Sequence, residues 1–243
     1  MARHLVLADV HSNLEALDAV LRDAAAQQGG FDDVWVAGDI VGYGPCPSEC
    51  IFRLKEIDAL CVAGNHDLGV VGRLDLAWFN QEAAEACRWT AGNLSSEDRD
   101  FLAGLPEFRT QGMALVVHGS PRDAVREYVT SVRIANAVAT HCESRVCLVG
   151  HTHCPVAFGM DAPVARPACD GAEVSLRGER LVLNPGAVGQ PRDGDARAAY
   201  AILDDSTLTF EFHRVEYDVA ATSSSMLRAG LPKALAMRLH CGY

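Results

Sequence analysis

Five apolar runs in this chain stop abruptly at residues that can do chemistry, and that pattern limits the fold more than any other feature. Leu5-Val6-Leu7-Ala8 ends in Asp9-Val10-His11, and Val34-Trp35-Val36-Ala37 ends in Gly38-Asp39. The run Ala59–Ala63 ends in Gly64-Asn65-His66-Asp67, Met113–Val117 in His118-Gly119, and Val146–Val149 in Gly150-His151-Thr152-His153. Short apolar runs bounded by glycine read as buried strands. In α/β proteins ligands gather at the carboxyl ends of such strands.

Helical patterns separate these runs. Ser12 or Asn13 caps a helix carrying Leu14, Leu17, Val20 and Leu21 at helical spacing, and Pro47-Ser48-Glu49 opens a second with Ile51, Leu54 and Ile57. Alternating strands and helices indicate an α/β fold with parallel neighbours. The stretch at about 75–105 is rich in Ala and Glu and predicts a helical pair laid over the strand ends as a lid-like segment. A further helix is expected near Ser131–His141. Beyond it, Val174–Leu176, Leu181–Leu183, Ala199–Leu203 and Leu208–His213 predict antiparallel β-structure, with a turn at Asp204-Asp205-Ser206. One amphipathic helix is expected over about 223–239. With no repeat, linker or low-complexity tract, residues 1–243 read as a single domain.

Composition narrows the partners. A formal net charge of −11 argues against broad binding to nucleic acid or anionic lipid. It leaves room for a small anionic substrate, because a local metal charge can reverse the field at one site. No apolar run reaches the length of a membrane span, and the amino terminus lacks a signal-peptide layout, so a cytoplasmic protein is expected. The nine cysteines are scattered without a CxxC pair and read as reduced, buried small residues. Oligomeric state is not legible.

The polar residues at the strand ends are Asp9, His11, Asp39, Asn65, His66, His118, His151 and His153, which include five of the nine histidines. His4, His141, His213 and His240 read as structural. Carboxylate, imidazole and amide donors without thiolate suit Mn, Fe or Zn. Seven ligands exceed what one tetrahedral ion requires, so two ions sharing a carboxylate is the economical arrangement. Asp39 is the expected centre.

These motifs, in this order over roughly residues 4–204, resemble the calcineurin-like metallophosphoesterases. The resemblance implies two mixed β-sheets packed as a sandwich and flanked by helices, with a dinuclear site at the sheet edges. It assigns Asp9, His11, Asp39 and His153 to one metal, and Asp39, Asn65, His118 and His151 to the other. The two divalent ions would be Mn, Fe or Zn, with Ni or Co also accepted. It further implies in-line attack on phosphorus by a metal-bridging hydroxide, with His66 protonating the leaving oxygen or stabilising the transition state. Gly38-Asp39-Ile40-Val41-Gly42-Tyr43-Gly44-Pro45 and the stretch Asn184–Arg192 resemble the compact bacterial branch, often grouped with diadenosine-tetraphosphate hydrolases and serine/threonine phosphatases.

One departure bears on substrate. The protein-phosphatase branch has Asp-Arg where this chain has Gly42-Tyr43, so the residue that orients the catalytic histidine and the bidentate phosphate clamp are both missing. Small phosphoesters are therefore expected as substrates: a phosphodiester, a nucleotide or a dinucleoside polyphosphate. Arg122 and Arg192 are candidates for a replacement clamp, with Asn13 and Tyr43 as further substrate-binding candidates. A serine/threonine-type protein phosphatase and a non-catalytic scaffold of the same fold are the alternatives.

Overall fold

The computed structural model describes residues 2–243. In chain order the strands are β1 (Arg3–Leu7), β2 (Asp33–Val36), β3 (Leu60–Cys61), β4 (Phe108–Gln111), β5 (Ala114–Val117), β6 (Val146–Leu148), β7 (Val156–Gly159), β8 (Ala165–Pro167), β9 (Glu173–Ser175), β10 (Leu181–Asn184), β11 (Ala198–Asp204) and β12 (Thr209–Val215). The helices are α1 (Leu14–Ala26), α2 (Pro47–Glu56), α3 (Asn65–Val70), α4 (Gln81–Asn93), α5 (Ser96–Ala103), α6 (Val132–Val138), α7 (Val219–Arg228) and α8 (Lys233–Arg238). Among the described residues no helix is long and apolar enough to cross a membrane.

The strands form two mixed six-stranded sheets, ordered β3-β2-β1-β11-β12-β9 and β4-β5-β6-β10-β7-β8. In the first, β1, β2 and β3 run parallel. In the second, β5, β6 and β10 run parallel. The period-two alternation of each strand explains the layering. From β1, Leu5 and Leu7 point to the core shared with α1 and α2, whereas Val6 packs between the sheets with Trp35, Val116, Leu148 and Leu183. From β5 and β6, Val117 and Cys147 turn outward to a third core with Ala135 and Val138 of α6. The result is helix, sheet, sheet, helix, as the family resemblance implies.

Three expectations change. The run at Ala59–Ala63 keeps only Leu60–Cys61 as strand: the Val62 amide makes the last bond to β2, at Val36, and the Ala63 amide leaves the ladder for Pro106. Leu181–Leu183 lies between β7, antiparallel, and β6, parallel, so it is not part of a purely antiparallel region. The single helix expected at 223–239 is two helices. Gly230 takes a φ of 76° and Pro232 follows it, and neither continues a helix. Met226, Leu231, Leu235 and Leu239 from this pair pack on Tyr43 and on Ala83 and Ala86 of α4. The predicted helices at about 75–105 are present as a short 3-10 turn at Leu76–Trp78 followed by α4 and α5.

Candidate metal centre

The carboxyl ends of the parallel strands of both sheets meet at one place, and backbone hydrogen bonds tie them together. The amides of Asp9 and His11 donate to the carbonyls of Gly38 and Asp39, and the Gly150 amide donates to His118. The two sheets are then linked through the site itself. The His151 amide donates to both carboxylate oxygens of Asp9 at 3.1 Å. His118 Nδ1 donates to the Ala37 carbonyl at 2.9 Å.

Five of the seven predicted ligands have left-handed backbone: Asp9, His11, Asp39, His151 and His153 have φ between 50° and 67°. Tyr43 joins them at 55°. Such conformations cost of order 1–3 kcal/mol each and persist where surrounding structure enforces them. Here the interstrand bonds do so, and each turn swings its side chain back over the strand ends.

The donors converge. Asp39 Oδ1 accepts from the His66 amide at 2.8 Å, leaving Oδ2 at 3.6 Å from His11 Nε2 and 3.4 Å from His118 Nε2. Asp9 Oδ1 lies 3.3 Å from His153 Nε2 and 4.0 Å from His11 Nε2. The Nε2 atoms of His11 and His153 are 3.2 Å apart. His118 Nε2 is 3.0 Å from Asn65 Oδ1 and 3.1 Å from His151 Nδ1. Two ligand-competent groups result: Asp9, His11, Asp39 and His153, and Asp39, His118 and His151, with Asp39 in both. The structure thus brings together all seven predicted ligands.

The hydrogen bonding of the rings determines what they present. Nδ1 of His11, His118 and His153 faces the carbonyls of Val41, Ala37 and Gln190. His11 and His153 therefore carry their proton outward and aim an Nε2 lone pair inward, and His118 does the same once its second proton has left. Burial holds His11 and His153 well below the usual imidazole pKa and lowers His151 to about 3, so these rings are neutral at pH 7. Burial also works against a charged His118, but Asp39 outweighs it and raises this group to about 9. Asp9 is pushed up to about 7 by burial, and Asp39 is held well below the carboxylate range by His118 and His66 despite its burial. Inward lone pairs beside two buried carboxylates are mutually repulsive without positive charge between them. Divalent cations fit this donor set, and binding would displace the His118 proton.

His66 contributes no atom to either group. Its ring is 3% exposed and packed among His11, Tyr43 and Phe79, with centroids at 4.8, 4.3 and 5.1 Å. With Asp39, Tyr43, His153 and Arg192 it lines a narrow inner cavity of about 90 Å³. Arg192 donates to Tyr43 Oη at 3.3 Å and to Gln190 Oε1 at 3.1 Å, while its Nε is buried without a partner. It is the cation available to an anion in this cavity.

Two sequence candidates are already engaged by neighbouring groups. Asn13 is consumed by structure. Its Oδ1 caps α1 at the Ala16 amide (3.2 Å) and its Nδ2 donates to the Gly189 carbonyl (2.9 Å). Arg122 forms a two-pronged ion pair with Glu127 and lines neither the inner cavity nor its extension.

Several participants were not anticipated. Asp67 accepts from the amides of Gly64, Ile40 and Val41 at 2.9, 3.3 and 3.0 Å, locking the Asp39 turn to the Asn65 turn. Gly64 sits at this junction because a Cβ there would fall 2.1 Å from Asp39 Oδ1. Asn184 donates to Gly150 and Thr152, fixing the loop that carries His151 and His153. The Tyr128 ring stacks on His151 with centroids 3.7 Å apart. Asp67 and Asn184 stand inside motifs visible in the sequence, whereas nothing near Tyr128 signals its role.

Residues 2–207 match the calcineurin-like phosphoesterase superfamily domain. The chain belongs to that superfamily. An uncharacterised protein of Methanocaldococcus jannaschii is 34% identical over 242 residues, covering 98% of this chain and 97% of its own. A metallophosphoesterase structure from Sphaerobacter thermophilus is 42% identical and superimposes with a TM-score of 0.91 over 100% of both chains. A hypothetical protein of Pyrococcus horikoshii, 21% identical, shares the fold with a TM-score of 0.82 over 100% of this chain and 99% of its own. The helices α7 and α8, packed on Tyr43 and α4, follow the part that matches the family.

Proposed function

We propose that this calcineurin-like phosphoesterase is a dinuclear-metal-dependent hydrolase of small phosphoesters: phosphodiesters, nucleotides or dinucleoside polyphosphates. The observation that carries the reading is the sharing of Asp39 by two buried donor groups beside a cavity that also holds His66 and Arg192. Asp9, His11, Asp39 and His153 would hold one cation, and Asp39, Asn65, His118 and His151 the other. Mn, Fe and Zn suit the donors. When bound, such a pair supplies an activated water and offsets charge on the phosphoryl oxygens.

The chain supplies the rest. The unpartnered Nε of Arg192 can bind a phosphoryl oxygen, with Tyr43 and Gln190 bracing the guanidinium. The Nε2–H of His66 can donate a hydrogen bond to the leaving oxygen and stabilise the charge that develops there. Burial lowers its pKa to about 4, so its neutral form is the resting state. The 3-10 turn and α4, which set Trp78, Phe79 and Ala83 against the site, narrow the inner cavity to about 90 Å³ and favour a small ester over a residue on a folded protein. The Gly42-Tyr43 loop supports the same choice, since no carboxylate there orients His66. Retention of His66 beside a full ligand set favours an enzyme over a scaffold.

The test is hydrolysis of bis(p-nitrophenyl) phosphate by the Mn²⁺-loaded protein and by His66→Ala. The reading requires turnover by the wild type and a loss of about 10²-fold or more in the variant. Inactivity of the metal-loaded wild type on mono-, di- and polyphosphate esters would refute it.

A further inference from the structure

The inner cavity opens into a larger one. An outer cavity of about 480 Å³ shares Asn65, Trp78, Tyr128 and His151 with the inner one, so the two are continuous at the metal centre. Its volume falls within the roughly 300–1,000 Å³ of small-molecule sites. Its walls are mainly aromatic and aliphatic, with Phe79, Leu74 and Val125 beside Trp78 and Tyr128.

Trp78 is the telling residue. It is 70% exposed, the most exposed of the large apolar side chains among the described residues, on the 3-10 turn at the cavity mouth. Fold stability gives no reason to leave an indole so open. Arg126 lies over its ring, 5.0 Å from the centroid, and is tied to Asp123 at 3.0 Å. Tyr128, which lines the same cavity, is 47% exposed and is steadied by its stack on His151. Two exposed aromatic rings beside a phosphate-binding cavity are the chemistry that takes a flat heteroaromatic ring.

We propose that the outer cavity is a base subsite, in which Trp78 and Tyr128 receive the nucleobase of a nucleoside phosphoester whose phosphate occupies the inner cavity. This rests on the phosphoesterase reading of the inner cavity and narrows it to nucleoside-bearing substrates. Stacking accepts any base, so the class is defined by the nucleoside rather than by one base. Asp123 and Arg126 present an acceptor and a donor at the rim to the edge of the base.

Calorimetry on the Mn²⁺-loaded protein tests this with AMP, ribose 5-phosphate and phosphotyrosine. AMP should bind about tenfold more tightly than ribose 5-phosphate. Trp78→Ala should bring that ratio close to one, and Trp78→Phe should restore most of it. Trp78 packs too little to endanger folding, and a thermal melt of each variant checks this. Equal affinities for AMP and ribose 5-phosphate, binding of neither, or a ratio that survives Trp78→Ala would overturn the proposal. Phosphotyrosine binding as tightly as AMP would overturn it in favour of an aryl phosphate. Hydrolysis of bis(p-nitrophenyl) phosphate, measured on the same samples, separates the two claims. Turnover without a preference for AMP removes the base subsite alone, whereas absence of turnover on every phosphoester removes the phosphoesterase reading.

Discussion

The Cys87 thiol lies 3.4 Å from Nδ1 of His66 and reaches it from α4, a helix of the cover rather than of the sheets. Gly42 closes the same side of the ring: a Cβ there would come within 2.4 Å of that nitrogen, and the φ of 93° suits glycine alone. Where a carboxylate holds the histidine in the protein-phosphatase branch, a buried thiol and a bare backbone hold it here. Burial pushes the Cys87 thiol pKa up, so it stays protonated and donates to Nδ1, leaving the ring proton on Nε2 toward the cavity.

Replacing Cys87 by alanine should therefore lower kcat about fivefold, the worth of one modest hydrogen bond. Metal content and KM should not change, and Cys87→Ser should recover part of the loss. Steady-state kinetics with metal analysis checks this. A variant with unchanged kcat, or one that loses metal, would show that the thiol only fills space.

The two arginine candidates separate cleanly. Arg192→Ala should reduce kcat/KM on phosphoesters by roughly 10–100-fold, the loss of a charge-assisted contact to phosphate. Arg192→Lys should recover little, because the ammonium cannot replace a guanidinium braced by Tyr43 and Gln190. Arg122→Ala should leave kcat/KM as it is, since that side chain is paired with Glu127. Equal effects at the two positions would contradict the placement of the inner cavity.

Away from the site, Asp204 should set part of the acid limb of stability. Burial opposes its charge, but the Ser206 hydroxyl, the Ser206 and Thr207 amides and Arg3 outweigh it and lower its pKa to about 2. A carboxyl whose folded pKa lies below the unfolded value of about 3.9 contributes stability that is full above that value and lost as pH falls through the folded one. Thermal melts of metal-free wild type and Asp204→Asn should thus differ most above about pH 4 and converge toward pH 2. A gap independent of pH would mean that hydrogen bonding without charge explains the turn.

Much of the candidate site was legible because each predicted ligand follows, within a few residues, an apolar run that reads as a buried strand. Asp9, Asp39 and His118 needed little but that adjacency, whereas the sandwich came with the family resemblance and not from the strand patterns. Edge strands were less visible. Phe108–Gln111 and Ala165–Pro167 are exposed throughout, so no alternation marks them, and their partners β5 and β7 alone make them strands. The C-terminal periodicity runs through Gly230 and Pro232, which break the helix without interrupting its apolar face. Arg122 and Arg192 look alike in sequence. Only the fold sends one to Glu127 and the other to the inner cavity. Cys87 and Tyr128 come from segments outside the strand-end pattern, so their meeting with His66 and His151 depends on how the cover and the loop before α6 are laid down. The left-handed turns at Asp9, His11 and Asp39 were invisible for another reason: residue propensities do not ask for them, and only the interstrand bonding enforces them.

The central claim is that Asp39 joins two cation sites into one centre. Metal analysis after Mn²⁺ loading and desalting tests it most directly, on wild type and on Asp39→Asn. The sharing of Asp39 between both donor groups requires two ions per chain in the wild type and a deficit at both sites in the variant. Two ions per chain retained in Asp39→Asn, or no more than one in the wild type, would contradict it.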